Sequence, residues 1–519
     1  MSISNKSQYI FKLIKSMSPS EKRYFTLFVS AFEKTNKTYI KLFTAIDKQK
    51  EYDEKALKIK FKNESFANHF AVVKNNLFKM ILKSLRVYHT DSHPVKIVNQ
   101  YKDNYILLLN KGLFDLASAQ LTKAMKVAEE NNLITETLLL KSWRNNSMML
   151  DFFLNNVDFD IEAPLKEPLE QVKVIENFHK SVYIRRQIEI FHHKGLVRTK
   201  ASIQKLIDWT NDPFLVEDQK SPSVTSQVIK IEARITCHVS LKEYSKAQLL
   251  SKRLLDLSMN NVSEILMVGN FFNYIYISLW VDDWKTIDSK AQECLSHLDA
   301  LNKNKITIMD NDRYYYNWQY HSKLTHCLLH RKFKNIQNIL PKIIENYLII
   351  EKDLSLLYQW NYSYEFAYAY FIIDEFEESQ KYIVKLLNTP IPKNRKDYYI
   401  GTQILNLFNH YELGNFEHLS YQIKNTKELI KRQDYYFGFE KTCIEFLSKL
   451  CKVTKDKKSD LLISYQEKFT ELHKKTWELD AFEKFDVLGW IKQKQLTKTI
   501  KRKLNHSIKL GTTSKEAKI

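Results

Sequence analysis

The sequence predicts an all-α protein, and three observations support that fold class. Glycine is scarce, with 8 residues in a chain of 519, where average usage of about 7% would supply roughly 36. Proline is almost as rare, at 9, so long stretches rich in Leu, Lys and Glu run without a helix breaker. Apolar residues recur along them at three- and four-residue spacing, which is typical of amphipathic helices. We therefore expect helices throughout, and folds that depend on glycine turns are disfavoured.

The N-terminal region, residues 1–95, is predicted to be a basic helical region. Ser18, Pro19 and Glu21 form the pattern that starts a helix. Amphipathic segments follow over 38–49 and 53–62, and a longer helix is expected to run to about Tyr88. Its apolar stripe consists of Phe66, Phe70, Val73, Leu77, Ile81 and Leu85.

Two interpretations of this region remain open. In a DNA-binding helix-turn-helix, residues 53–62 would form the first helix, 63–65 the turn and Phe66 onward the recognition helix. The early part of that second helix has few basic residues and a heavy apolar stripe, which favours a plain helical cap.

Residues 96–455 contain a repeated pattern in which an aromatic residue follows a predicted turn and a small or apolar residue comes three positions later. The aromatic residues are Phe114, Tyr244, Trp284, Phe333, Phe376 and Phe416. The pattern resembles the turn and second helix of tetratricopeptide repeats, where the aromatic fills the seam between paired helices. The last five aromatics lie 40, 49, 43 and 40 residues apart, so each helix would be longer than in the family.

The resemblance implies a right-handed α-solenoid of helical hairpins over residues 96–455. A bend is expected near residues 160–225, since four prolines fall there: Pro164, Pro168, Pro213 and Pro222. Capping helices are expected over 456–490, followed by a basic amphipathic tail over 491–519. The tail places Lys498, Lys501, Arg502, Lys503 and Lys509 between apolar residues at four-residue spacing. Such a helix could cap the solenoid, contact phosphates or lie on acidic lipid.

The charge distribution points to the two ends of the chain. The net charge is +20. Residues 1–100 hold 19 Lys+Arg and 8 Asp+Glu, which gives +11, and residues 490–519 hold 9 and 1, which gives +8. Localised positive charge attracts nucleic acid, anionic membrane surfaces or acidic proteins.

Other compositional features exclude several classes. The closest glycines, Gly401 and Gly414, lie 13 residues apart, so neither a dinucleotide-binding fingerprint nor a P-loop is present, and no cofactor is expected. The 5 cysteines include no C-x-x-C pair, which predicts a reducing, cytoplasmic location. Apolar runs fall short of the ~18 residues of a spanning helix, so no transmembrane segment is expected.

Two constellations resemble catalytic or metal sites. His326 and His330 lie four apart with His321 nearby, a spacing that can place two imidazoles on one helix face for a metal. The glutamate of an H-E-x-x-H site is missing, so structural histidines are the favoured interpretation. The stretch Arg186 to His192 loosely resembles the arginine and histidine pair of helical ribonucleases, but Gln187 departs from that family's pattern.

The sequence therefore predicts a non-enzymatic protein that acts as a protein-binding or peptide-binding scaffold. If the repeat alignment holds, the inner groove takes the second, fifth and ninth positions of each first helix. The candidate groove residues are Phe272, Tyr276, Trp318, His321, Tyr364, Tyr368 and Phe408. The same aromatics could instead pack in the core. The alternative function is a nucleic-acid-associated factor or transcriptional regulator that uses the basic N-terminal region and tail, and no oligomeric state is predicted.

Overall fold

In the computed structural model, the described residues are 8–32, 37–89, 93–155, 162–193, 197–261, 264–302, 321–390 and 395–496. These ranges are predominantly helical, and none of them contains a β-strand. The predicted all-α class is thus confirmed. The chain divides into two compact units, residues 1–172 and 173–519.

The first unit begins with five helices that surround a common core. They are α1 (Tyr9–Ser16), α2 (Pro19–Phe32), α3 (Lys37–Asp47), α4 (Glu54–Lys60) and α5 (Phe70–Tyr88). The predicted start of α2 is confirmed, because the Ser18 N–H donates to Glu21 Oε2 at 2.7 Å and the Glu21 N–H donates to Ser18 Oγ at 3.2 Å. The start of the last helix differs from the prediction, since a short 3₁₀ turn over Ala67–His69 precedes it.

Helix α5 packs against α2 and α3. The predicted apolar stripe faces this core, and Leu77 and Ile81 are fully buried there. A helix that buries this face keeps only its opposite face for any other contact.

The first unit continues with α6 (Pro94–Asn110), α7 (Phe114–Glu130) and α8 (Ile134–Asn155), each packed on its neighbour. Three buried alanines of α7 face its neighbours: Ala117, Ala124 and Ala128. Small side chains let helix backbones approach closely, which accounts for the extensive contact between α6 and α7.

Helix α9 (Glu162–His193) crosses the boundary between the two units and occupies the first part of the proline-containing stretch. Pro164 lies in its first turn, where a backbone N–H has no intrahelical partner, so proline is tolerated. Pro168 lies inside the helix, which nevertheless continues to His193. Pro164 and Pro168 therefore do not interrupt this helix, while Pro213 and Pro222 lie after it, in a stretch of short helical turns and irregular residues.

The second unit is a series of helices in which consecutive members pack together. The series starts with α10 (Lys200–Thr210), α11 (Pro213–Val216), α12 (Val224–Ser240), α13 (Tyr244–Asn261), α14 (Glu264–Ser278) and α15 (Trp284–Asn302). Residues 321–329, called α16, are also helical. The series continues with α17 (Phe333–Ile350), α18 (Leu356–Ile372), α19 (Phe376–Asn388), α20 (Lys396–Glu412), α21 (Phe416–Arg432), α22 (Gly438–Leu450), α23 (Lys458–His473) and α24 (Leu479–Lys484).

Alternate helices of this series also touch, since α20 contacts both α18 and α22. Contacts between neighbouring and alternate helices are compatible with a helical-repeat stack. Helix α24 packs on α20 and α22, and residues 487–496 form a further helical stretch.

The turns that join paired helices explain how a chain with 8 glycines builds so many tight connections. Each of the six repeat aromatics is the first residue of a helix. In five cases the residue two positions earlier has a positive φ, and these residues are Gly112, Lys242, Arg331, Asp374 and Gly414. The following N–H closes each helix on a carbonyl five residues back, as Glu375 does on Tyr370 at 2.9 Å. Three of these left-handed positions, Lys242, Arg331 and Asp374, carry a side chain, which is sterically strained in this backbone conformation.

In the repeated pattern, the residue three positions after the aromatic is the one that is buried. All six such residues are fully buried: Ala117, Ala247, Ile287, Ile336, Ser379 and Leu419. Phe114, Tyr244, Trp284 and Phe376 are only half-buried, and Phe416 keeps 49% of its surface accessible. The small or apolar position therefore defines the helix seam more strictly than the aromatic does.

Candidate functional site

The candidate groove residues in α18 and α20 lie under a segment of the same chain. We call residues 477–495 the C-terminal segment, and we call the side of α18, α20 and α22 that contacts it the inner face. Tyr364, Tyr368 and Phe408 lie on this face and are buried. The structure brings these three together, and the C-terminal segment covers them.

Aromatic side chains of the C-terminal segment fill the inner face. Phe485 packs on Phe408 with ring centroids 4.5 Å apart, and Trp490 packs on the same ring at 5.1 Å. Phe482 meets Phe439 of α22 at 4.7 Å in an edge-to-face arrangement. Such aromatic pairs add to the free energy gained from area burial alone.

Tyrosine hydroxyl groups of α18 bind the main chain of the C-terminal segment. The Tyr364 hydroxyl donates to the Lys484 carbonyl oxygen at 2.8 Å. The Asp486 N–H donates to the Tyr368 hydroxyl oxygen at 3.1 Å. Both bonds satisfy main-chain groups near the non-helical residues 485–486. This is how a helical face can hold an irregular peptide segment.

A buried arginine fixes the start of the C-terminal segment. The Arg198 guanidinium donates two bonds of 2.9 Å to the Glu440 carboxylate and one of 3.0 Å to Glu478 Oε2. Its Nε also donates to the Trp477 carbonyl oxygen at 3.1 Å. Burial lowers the pKa of Arg198, but the Glu440 charge and the groups around it outweigh that effect, so the pKa lies above its ordinary value.

Glu478 also caps a helix of the inner face. Its carboxylate accepts hydrogen bonds of 3.1 Å from the N–H groups of Gly438 and Phe439, at the start of α22. A Cβ added at Gly438 would lie 2.7 Å from Glu478 Oε1. Glycine is therefore needed at this position for the close approach of the carboxylate.

Two further basic residues pair with acidic residues of the C-terminal segment. The Lys242 ammonium contacts Asp480 and lies 2.7 Å from Glu483 Oε2. The Arg331 guanidinium pairs with Asp486. Burial raises the pKa of Asp480, but the adjacent Lys242 lowers it more, so the net pKa is below its ordinary value.

The remaining candidate groove residues lie where the C-terminal segment does not cover them. Tyr276 of α14 keeps 47% of its surface accessible, and its ring meets Trp280 at 4.9 Å. Phe272 is half-buried on the same helix. Burial and the charges of Tyr398, Glu365 and Glu483 raise the pKa of Tyr276. Part of the Tyr276 side chain is thus exposed, while its hydroxyl lies among protein groups.

Glu365 and Tyr398 lie near this exposed tyrosine, since the charges of both raise its pKa. His321 Nε2 is 3.1 Å from Glu365 Oε2, as an ion pair without hydrogen-bond geometry. The Tyr398 ring lies under the Lys484 ammonium of the C-terminal segment, at 3.4 Å from its centroid. His321 and Tyr398 are half-buried. We call Tyr276, His321 and Glu365 the open stretch.

The histidines with metal-like spacing have structural partners instead. His330 Nε2 lies 3.1 Å from the Leu279 carbonyl oxygen, and His326 Nδ1 lies 3.5 Å from the same oxygen. Lys332 Nζ is 3.2 Å from His326 Nε2. Burial, with the positive charges of His330 and Lys332, lowers the pKa of His326 to about 4. In the part of the chain that the structure describes, no cluster of three potential metal ligands occurs.

The arginine and histidine that resemble a ribonuclease pair do not share a site. The exposed Arg186 guanidinium pairs with Glu189 on its own helix at 2.6 Å. His192 Nδ1 lies 2.7 Å from Ser240 Oγ of α12. Six residues of helix separate the two side chains onto different faces.

Sequence reasoning missed the buried Arg198, Glu440 and Glu478, because 242 and 280 residues separate the arginine from its partners. One signal was present. Acidic residues alternate with aromatic ones through the C-terminal segment, which is unusual for a plain capping helix.

Some predicted residues lie outside the described residues, namely Trp318, Lys498, Lys501, Arg502, Lys503 and Lys509. Among the described helices, none is both long enough and apolar enough to cross a bilayer. No protein-family model matches the chain, and no curated protein matches it as a relative.

Proposed function

We propose that this chain is a non-enzymatic scaffold that binds a protein or peptide partner along the inner groove of a tetratricopeptide-like, right-handed solenoid. The observation that supports it best is Tyr276, an aromatic side chain of a first helix that keeps 47% of its surface accessible. The adjacent covered part of the same stack already binds a peptide segment through tyrosine hydroxyls and aromatic rings.

The open stretch offers the chemistry that such recognition requires. Tyrosine rings supply contact area at low entropic cost, and their hydroxyls bind main-chain groups of a ligand. The His321 and Glu365 pair adds a donor and an acceptor on adjacent helices. Cys237, Cys327, Cys443 and Cys451 are free thiols, in keeping with the reducing cytoplasm that we propose as its location.

Affinity capture from native lysate tests this function when three full-length proteins are compared. They are the wild type, Tyr276→Ala and Tyr421→Ala. Tyr421 is a matched control because it is also exposed, at 65%, but lies on the second helix α21. Partners that survive nuclease and are lost only from Tyr276→Ala support the proposal. Equal capture by all three proteins contradicts it.

The alternative proposal is a nucleic-acid-associated factor that uses the basic N-terminal region. Lys55, Lys58 and Lys62 are exposed at three- and four-residue spacing along and just after α4, which would let one helix side track a phosphate backbone. Binding of labelled RNA or DNA that falls steeply between about 50 and 200 mM salt would favour it. Partners that vanish with nuclease would point the same way.

A further inference from the structure

The C-terminal segment interleaves acidic and aromatic side chains. Its acidic residues are Glu478, Asp480, Glu483 and Asp486, and its aromatic residues are Trp477, Phe482, Phe485 and Trp490. Each acidic residue has a basic partner elsewhere in the stack. Arg198 pairs with Glu478. Lys242 pairs with Asp480 and Glu483, and Arg331 pairs with Asp486.

The three basic residues are placed where a ligand of the stack would meet them. Lys242 and Arg331 occupy the left-handed turn positions after α12 and α16, and Arg198 directly precedes the N-cap of α10. They come from three different parts of the chain. Each of them contacts the C-terminal segment, so the stack presents three cations to one acidic peptide.

We propose that the C-terminal segment is an internal ligand, and that the partner of the inner face is a peptide segment of the same chemistry, with carboxylates alternating with aromatic anchors. This inference rests on the proposed binding function and names its partner class. An external segment would place carboxylates on Lys242 and Arg331 and aromatic rings against Phe408. It would bind by replacing the chain's own segment.

Replacement depends on how tightly the internal segment binds compared with an external peptide. A tethered segment has an effective concentration in the millimolar range for a short connection, so it excludes a weak external competitor. Its anchors are deeply buried, with Phe485 at 1% and Ile491 at 0% exposure. An external peptide therefore binds well only when the internal contacts are weakened.

Two full-length variants weaken those contacts without touching the inner face of α18 or α20. Gly489→Ala adds a Cβ that would overlap the Arg331 guanidinium, so Arg331 must leave Asp486. Asp480→Asn with Glu483→Gln removes both negative charges from Lys242. Glu467→Gln is the matched control, because Glu467 is exposed on α23.

The test measures fluorescence anisotropy of a labelled synthetic peptide with the sequence of residues 474–496. We expect the two weakened variants to bind it at least about tenfold more tightly than the wild type and Glu467→Gln do. A peptide in which Phe482, Phe485 and Trp490 are replaced by serine should not bind. Equal affinity for all four proteins, with unchanged circular dichroism, overturns the inference.

Hydrogen exchange on the wild type gives a second test that needs no variant. The amides of residues 477–495 should exchange together and sooner than those of α18 and α20. Exchange at the same rate as α20 would show that the segment is an integral part of the core, and would overturn the inference. If Tyr276-dependent partner capture persists in that case, the proposed function stands and only the internal-ligand inference fails.

Discussion

The covered and open parts of the inner surface of the second unit are built from the same residue types but differ in what lies on them. On the covered part, Tyr364 and Phe408 are buried under the C-terminal segment. On the open stretch, Tyr276 remains half-exposed. The position of a residue within the repeated pattern therefore predicts which surface it lies on. Whether that surface is exposed depends on another part of the chain.

The largest expected effect concerns the buried cation that fixes the covered part. Arg198→Ala should lower the free energy of unfolding by about 3 to 5 kcal/mol, because Glu440 and Glu478 lose their buried counter-ion. Urea denaturation followed by circular dichroism measures this change. Arg186→Ala is the control because Arg186 is exposed. That change should alter the free energy of unfolding by less than about 0.5 kcal/mol. Equal effects would show that the arginine cluster does not stabilise the fold.

A comparison of two aromatic truncations separates the covered and open parts directly. Phe485→Ala removes a fully buried ring from the covered part and should cost about 3 to 5 kcal/mol. Tyr276→Ala removes a half-exposed ring and should cost less than about 1.5 kcal/mol. Thermal unfolding of the two variants checks the order, and a reversed order would contradict the assignment of open and covered parts.

The pKa values of the two histidines of α16, His321 and His326, are shifted in opposite directions. Burial lowers the pKa of His321, but Glu365 raises it more, so its net pKa lies above the ordinary value. Protonated His321 therefore adds stability that is present below about pH 6.5 and lost as the pH rises through its folded pKa. His326, with a pKa near 4, adds stability that is present above about pH 6.5 and lost as the pH falls toward 4.

Nuclear magnetic resonance of the imidazole protons, with Glu365→Gln as the comparison, measures both histidines. The His321 midpoint should fall in the variant, while the His326 midpoint should stay in place. A His321 midpoint that does not respond to the change would show that the pair with Glu365 does not control its charge.

The smallest effect concerns the turns. Gly414→Ala should lower stability by about 1 to 2 kcal/mol, because a side chain is strained at the φ of +75° found there. Gly269→Ala is the control, since Gly269 has neither a positive φ nor a neighbour within 4 Å of an added Cβ, and that change should be neutral or stabilising. Equal melting temperatures for the two variants would contradict the assigned turn geometry.

Local features of the fold were predictable because they depend on nearby residues. The helix start at Ser18 and the six helices that begin at repeat aromatics follow from capping and turn chemistry that short stretches encode. The continuation of α9 through Pro168 was not predictable, since an interior proline removes a helix hydrogen bond and ordinarily ends or kinks a helix.

The candidate site was only partly predictable for a related reason. Repeat spacing nominated Tyr276, Tyr364 and Phe408, and each of the three lies in a helix. The same spacing carries no information about residues 477–495, which reach the inner face from the far end of the chain. Pairings such as Arg198 with Glu478 are set by tertiary structure alone.

A photo-crosslinking amino acid at position 276 of the full-length chain tests the central claim most directly, with position 421 as the outer-face control. The proteins would be irradiated in nuclease-treated native lysate, and the crosslinked species identified by mass spectrometry. We expect a defined partner to be crosslinked from position 276 and to be absent from position 421. The same species from both positions, or none from position 276, would contradict a partner-binding inner surface.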